Sequence, residues 1–186
     1  MKRLLPLIIA ALLCISAAWV PAGGTFAAKK GNFSVEVPSG WMRYADDKGD
    51  KNESNFLMIT KEGHALQMII VEKLAFDKDL KFTKKKLRGD MLPHEAAEVV
   101  ADNIKSNPAI TQFELVENSP AHVSGVEGFK LVYTYKSKDG LKSKGVYYGA
   151  INKESLAKLH YTAAARYYFD RDLAVFEALV RSFKAN

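Results

Sequence analysis

Seven of the eight tyrosines fall between Tyr133 and Tyr168. Aromatic rings with hydroxyl tips suit a platform that is apolar across its face and polar at its edge. If Tyr133, Tyr135, Tyr148, Tyr161 and Tyr167 share one open face or cleft, they form such a platform for a peptide, a glycan or another small ligand. A structural reading competes, because aromatic residues favour strands and bury large areas in any case. Which faces the helices cover decides between the two.

A second group is basic. Lys81, Lys84, Lys85, Lys86 and Arg88 alternate with apolar Phe82 and Leu87. Near an anionic lipid surface each such cation contributes about 1 kcal/mol, so the cluster could rest on a membrane surface or an acidic partner. The plainer reading is a solvated connector that carries two acidic residues of its own.

The histidines are His64, His94, His122 and His160. His94 and Glu98 stand four apart, within reach of a shared metal on a helix, but the stretch reads His-Glu-Ala-Ala-Glu, without the second histidine of a zinc-protease helix. An acidic, solvent-facing helix start is the simpler account. His160 could act as a base, yet a base needs a nucleophile within hydrogen-bond reach. Neither Ser155 nor Ser182 sits in a nucleophile elbow. Phosphate loops, metal-ligand pairs and dinucleotide fingerprints do not occur, so no catalytic residue, metal or cofactor is assigned. A hydrolase remains only as an alternative, since triads are recognised by geometry rather than by order.

These residues must be placed by a domain that lies outside the cytoplasm. Lys2 and Arg3 precede an uncharged run from Leu4 to Val20, and small residues follow near Ala27 and Ala28. That order is a secretion signal, expected to be cut after Ala27 or Ala28, giving a leader over 1–28 and one domain over 29–186. An uncleaved membrane anchor is the lesser alternative, because 17 residues are short for a span. Cys14, the single cysteine, leaves with the leader, so the domain is expected to fold without a disulfide. Lys2 and Arg3 leave as well, and the remainder carries +4 (25 basic against 21 acidic residues). This mild charge lacks the basic stripe of a nucleic-acid binder, and nucleic acid is set aside as a partner.

Along the domain, Phe33, Val35 and Val37 alternate with polar residues, which predicts a strand. Residues 45–54 are polar and predict a loop. The runs 54–60 and 64–74, joined through Lys61-Glu62-Gly63, predict a hairpin. Pro93 opens a helix with Ala96, Val100 and Ile104 on one face, closed by Asn107-Pro108. Residues 112–118 predict a strand with Phe113, Leu115 and Val116 inward. Residues 128–137 and 145–152 predict strands joined by a turn containing Asp139-Gly140. For 155–168, alanine and leucine favour a helix, but Leu159, Tyr161, Ala163, Ala165 and Tyr167 alternate, and we read a strand. Asp170 is expected to cap a last helix with Leu173, Phe176, Val180 and Phe183 on its buried stripe. The fold class is therefore α+β, an antiparallel sheet of about six or seven strands flanked by helices.

The opening FSVEVPSGW and the ending YTAAARYYFDRDLAVFEALVRSF resemble the PsbP-like superfamily. The likeness runs from Asn32 to Phe183, and its most telling pieces are Val-Pro-Ser-Gly-Trp and the closing Ser182-Phe183. The resemblance implies an α/β/α sandwich with Phe33, Val37, Trp41, Phe176 and Phe183 in the core. It also implies binding or accessory work rather than catalysis, with an envelope protein or a small ligand as partner. The resembling residues are structural, and fold analogy alone does not name a function.

Overall fold

A computed structural model of the chain describes residues 19–45, 55–152 and 154–185. Nine strands and two helices follow in the order β1 (Trp19–Ala28), β2 (Phe33–Tyr44), β3 (Phe56–Thr60), β4 (Gln67–Ala75), α1 (Pro93–Lys105), β5 (Ile110–Val123), β6 (Val126–Ser137), β7 (Lys142–Ile151), β8 (Ser155–Ala164), α2 (Tyr168–Ser182) and β9 (Lys184–Ala185). The strands make one antiparallel sheet in the spatial order β1-β2-β3-β4-β8-β7-β6-β5, and β9 pairs with β2.

Side-chain alternation divides the core into two layers. On β8, Leu156 packs with Ala96, Ala97 and Val100 of α1, whereas Leu159, Tyr161 and Ala163 pack with Phe176, Leu179 and Val180 of α2. The helices therefore cover opposite faces, which is the expected α/β/α sandwich. Residues 155–164 are a strand in spite of their helical composition. Pairing on both sides, with β4 and β7, and burial on both faces outweigh intrinsic propensities of well under 1 kcal/mol per residue. The five core residues implied by the resemblance are all buried.

Several local expectations need correction. Leu115 and Val116 are exposed, not inward, because β5 is an edge strand with register shifts at Thr111/Glu114 and Leu115/Glu117. The connection after β3 runs from Lys61 to Leu66, longer than a three-residue turn, and the Gly63 carbonyl accepts from both Leu66 N and Gln67 N. Tyr167, with φ +76°, stands at the α2 N-cap, and Asp170 lies within the first turn instead.

The N-terminal boundary meets the sheet at β1. The expected cut at Ala27 or Ala28 falls at the end of this strand, which pairs with β2 from Trp19↔Tyr44 to Ala28↔Phe33. Phe26 and Ala28 are buried in the α2-side core, and Trp19 stacks on His64 with ring centroids 6.2 Å apart. A chain cut there would start at Ala28 or Lys29 and lack this strand. Residues 1–18, with most of the apolar run, and 46–54, with most of the polar loop, lie outside the described residues. Among the described residues no helix is long and apolar enough to cross a membrane.

Candidate ligand cavity

Strand parity sends Tyr133 and Tyr135 of β6, Tyr147 of β7, and Lys158, His160 and Thr162 of β8 to the α1 face of the sheet. There they line a cavity of about 370 Å³. Met68, Ile70 and Leu74 of β4 extend the apolar floor, and Val100, Asn103 and Ile104 of α1 form the roof. The loop between β4 and α1 closes one side with Leu80, Lys81 and Phe82. Asn103 holds that loop, because its side-chain oxygen accepts from the backbone N–H of Phe82 at 2.9 Å and of Thr83 at 3.3 Å.

The polar centre of the cavity is a tyrosine–histidine pair. The Tyr133 hydroxyl lies 2.5 Å from His160 Nε2. A phenol is the stronger donor, so the hydroxyl donates to Nε2 and the ring proton stays on Nδ1. Burial, and secondarily the Lys158 charge, pull the His160 pKa down to about 3, so the ring is neutral at physiological pH. Burial likewise holds Tyr133 and Tyr147 well above the ordinary phenol range. Tyr135 is raised by burial too, with hydrogen bonds to Ser143 and Thr162 working against the rise. Lys158 is ion-paired with Glu72 at 2.6 Å. The floor thus offers hydrogen bonds without net charge.

The five expected tyrosines do not share a face. Tyr133 and Tyr135 line the cavity. Tyr148 points to the α2 side, where its hydroxyl meets both Glu177 oxygens at 2.9 Å and its ring packs on Phe176. Tyr161 is buried on that same side and donates to the Tyr168 carbonyl at 2.9 Å. Tyr167 is 65% exposed beneath the Arg171 guanidinium. Tyr147 and His160 complete the cavity instead. Sequence holds a partial signal for this: Tyr147 and Tyr148 are adjacent on a strand, so each must take one face. Which of them joins Tyr133 depends on cross-strand register.

The basic cluster is exposed but largely compensated. Lys85 pairs with Asp102 at 2.7 Å, Arg88 with Asp90 at 2.9 Å, and Lys86 lies 3.8 Å from Asp79. Lys81 reaches over the Phe82 ring at the cavity edge, and Lys84 takes a turn conformation with φ +59°. These pairs, two within the connector and one to Asp102 of α1, are what a solvated connector would carry. The serines are structural: Ser182 Oγ donates to the Leu179 carbonyl and accepts from Glu36 N, while Ser155 Oγ bonds Asn152 in a turn. His94 and Glu98 are both exposed on α1, and no metal-ligand grouping of three or more acidic, cysteine or histidine residues occurs among the described residues.

No protein-family model and no curated protein matches this chain. Solved structures do. The solution structure of PsbP from the cyanobacterium Synechocystis sp. PCC 6803 superposes with a TM-score of 0.54 at 14% identity, covering 91% of this chain and 94% of that one. The Ran-binding protein Mog1p of Saccharomyces cerevisiae gives 0.53 at 11% identity, over 89% and 96% of the two chains. LpqN of Mycobacterium tuberculosis, described as involved in cell envelope biogenesis, gives 0.50 at 14% identity, over 88% and 87%. At these identities the likeness shows a shared PsbP/Mog1-type fold over nearly full lengths.

Proposed function

We propose that this chain is an exported, non-catalytic binding protein whose ligand site is the cavity between α1 and the sheet. The observation that carries the reading is an apolar cavity with a few neutral polar groups at its centre, the usual composition of a small-ligand site. His160, the one candidate base there, has Tyr133 as its hydrogen-bond partner and no serine or threonine nucleophile bonded to it. Solved relatives in fold that bind Ran or serve envelope biogenesis agree with an accessory role. Export rests on the basic start, apolar run and small-residue exit of 1–28.

The test pairs a fragment screen by NMR with a panel of p-nitrophenyl esters. Fragment-induced shifts confined to Tyr133, Tyr147, His160 and the facing α1 residues support the site. Ester turnover that disappears in His160→Ala would establish the hydrolase alternative in its place.

A further inference from the structure

Tyr147 is 3% exposed, and its ring packs between Phe129 at 5.9 Å and His160 at 5.3 Å, centroid to centroid. Its hydroxyl has no hydrogen-bond partner among the described residues. No fully enclosed side-chain nitrogen or oxygen among those residues lacks a partner. The Tyr147 hydroxyl must therefore open onto the cavity that it lines. The same holds for His160 Nδ1: the ring's hydrogen bond is made by Nε2, and the second nitrogen has none. Two neutral donors on adjacent, directly paired residues thus face an apolar chamber unused.

We infer that the cavity takes an uncharged, ring-bearing small molecule with a carbonyl oxygen, which accepts from the Tyr147 hydroxyl and from His160 Nδ1–H. This rests on the binding reading above and deepens it. The Tyr133, Tyr135 and Tyr147 rings and the β4 side chains suit a flat apolar body. A carbonyl has two lone pairs and so can serve two donors at once. An anion at the Tyr147–His160 donors is disfavoured, because reaching them strips its hydration and the floor returns no net positive charge, Lys158 being paired with Glu72 and Lys81 lying at the edge over the Phe82 ring. A cation finds no unpaired carboxylate among the lining residues.

The test uses three probes of matched ring size on the folded chain: naphthalene, 2-acetylnaphthalene and 2-naphthoate. Kd values come from competition or NMR titration. The ketone should bind on the order of tenfold more tightly than the hydrocarbon, about what one or two neutral hydrogen bonds contribute, and more tightly than the carboxylate. In Tyr147→Phe, which keeps the ring and removes the hydroxyl, the ketone-to-hydrocarbon ratio should fall toward one. Independently of any variant, the C=O stretch of bound 2-acetylnaphthalene should move to lower wavenumber than in an apolar solvent. Equal ketone and hydrocarbon affinity, or an unshifted carbonyl stretch, overturns the inference while leaving a ligand cavity in place. Tighter naphthoate binding also overturns it, in favour of an anion site. Failure of all three probes to bind removes the cavity reading itself.

Discussion

The Tyr133 ring lies across Gly145. A Cβ built at Gly145 would stand 2.2 Å from Tyr133 Cζ and 2.5 Å from its hydroxyl oxygen. Gly145 pairs with Tyr133 on one side and with Thr162 on the other. The missing side chain on β7 is what lets a β6 phenol reach His160 on β8, two strands away. Phe129 crosses Gly149 in the same way, with a Cβ there 2.3 Å from its Cζ.

Gly145→Ala should therefore break the Tyr133–His160 bond by displacing the phenol. Overpacking of this kind costs about 1–3 kcal/mol. Urea denaturation would show the loss, and the histidine Nε2 NMR shift would report the broken bond. Unchanged stability and shift would mean that Tyr133 repacks freely and that the crossing does not hold the site.

Acid should weaken the fold through His160 before the carboxylates titrate. The folded pKa, about 3, lies below the unfolded 6.5. The unfolded state thus takes up a proton that the folded state refuses, and stability present above pH 6.5 is lost as pH falls toward 3. The slope is about 1.4 kcal/mol per pH unit, so pH 5 should cost roughly 2 kcal/mol relative to pH 6.5 or above. Lys158, Tyr133 and Tyr147 are the charged or titratable groups around the ring, and the two phenols do not ionise in this range. His160→Gln should flatten the profile between pH 6.5 and 5. An equally steep profile in that variant would place the effect elsewhere.

Asp172 links α2 to the sheet. Only 3% exposed, it accepts from Gln67 Nε2 at 2.5 Å and from Arg171 Nε at 3.0 Å, and Arg171 also reaches Glu62 at 2.6 Å. Asp172→Ala would leave the buried Gln67 amide without its acceptor, a loss of about 3 kcal/mol. Asp172→Asn keeps an acceptor and should lose less. Urea midpoints of the two variants check the order.

Removal of β1 should be measurable. A chain starting at Lys29 lacks the burial of Phe26 and opens the β2 edge. It should be less stable than a chain starting at Trp19 by at least about 2 kcal/mol, the value of one buried phenylalanine, and more prone to associate through the open edge. Equal melting and equal monomer content would show that the sheet does not depend on residues 19–28.

Alternation along single strands was legible without coordinates. Phe129, Leu131, Tyr133 and Tyr135 share a face as their spacing predicts, and His160 lies opposite Leu159 and Tyr161 with Lys158 and Thr162. Both helices and part of their buried stripes (Ala96 and Val100 on α1, Phe176 and Val180 on α2) could also be read, because i, i+3 and i+4 neighbours are set by the local backbone. The edge position of β5 was not, so Leu115 and Val116 were expected inside.

By itself, then, the sequence determined periodicity: which residues of one element lie together, and hence an antiparallel sheet between helices. Tertiary structure alone decided which faces meet which helix and which residues oppose one another. Tyr133 and His160 are 27 residues apart, and their contact needs two strand registers and a glycine between them. Local propensity carries no information on such pairing, because it is settled by the burial of whole faces at once.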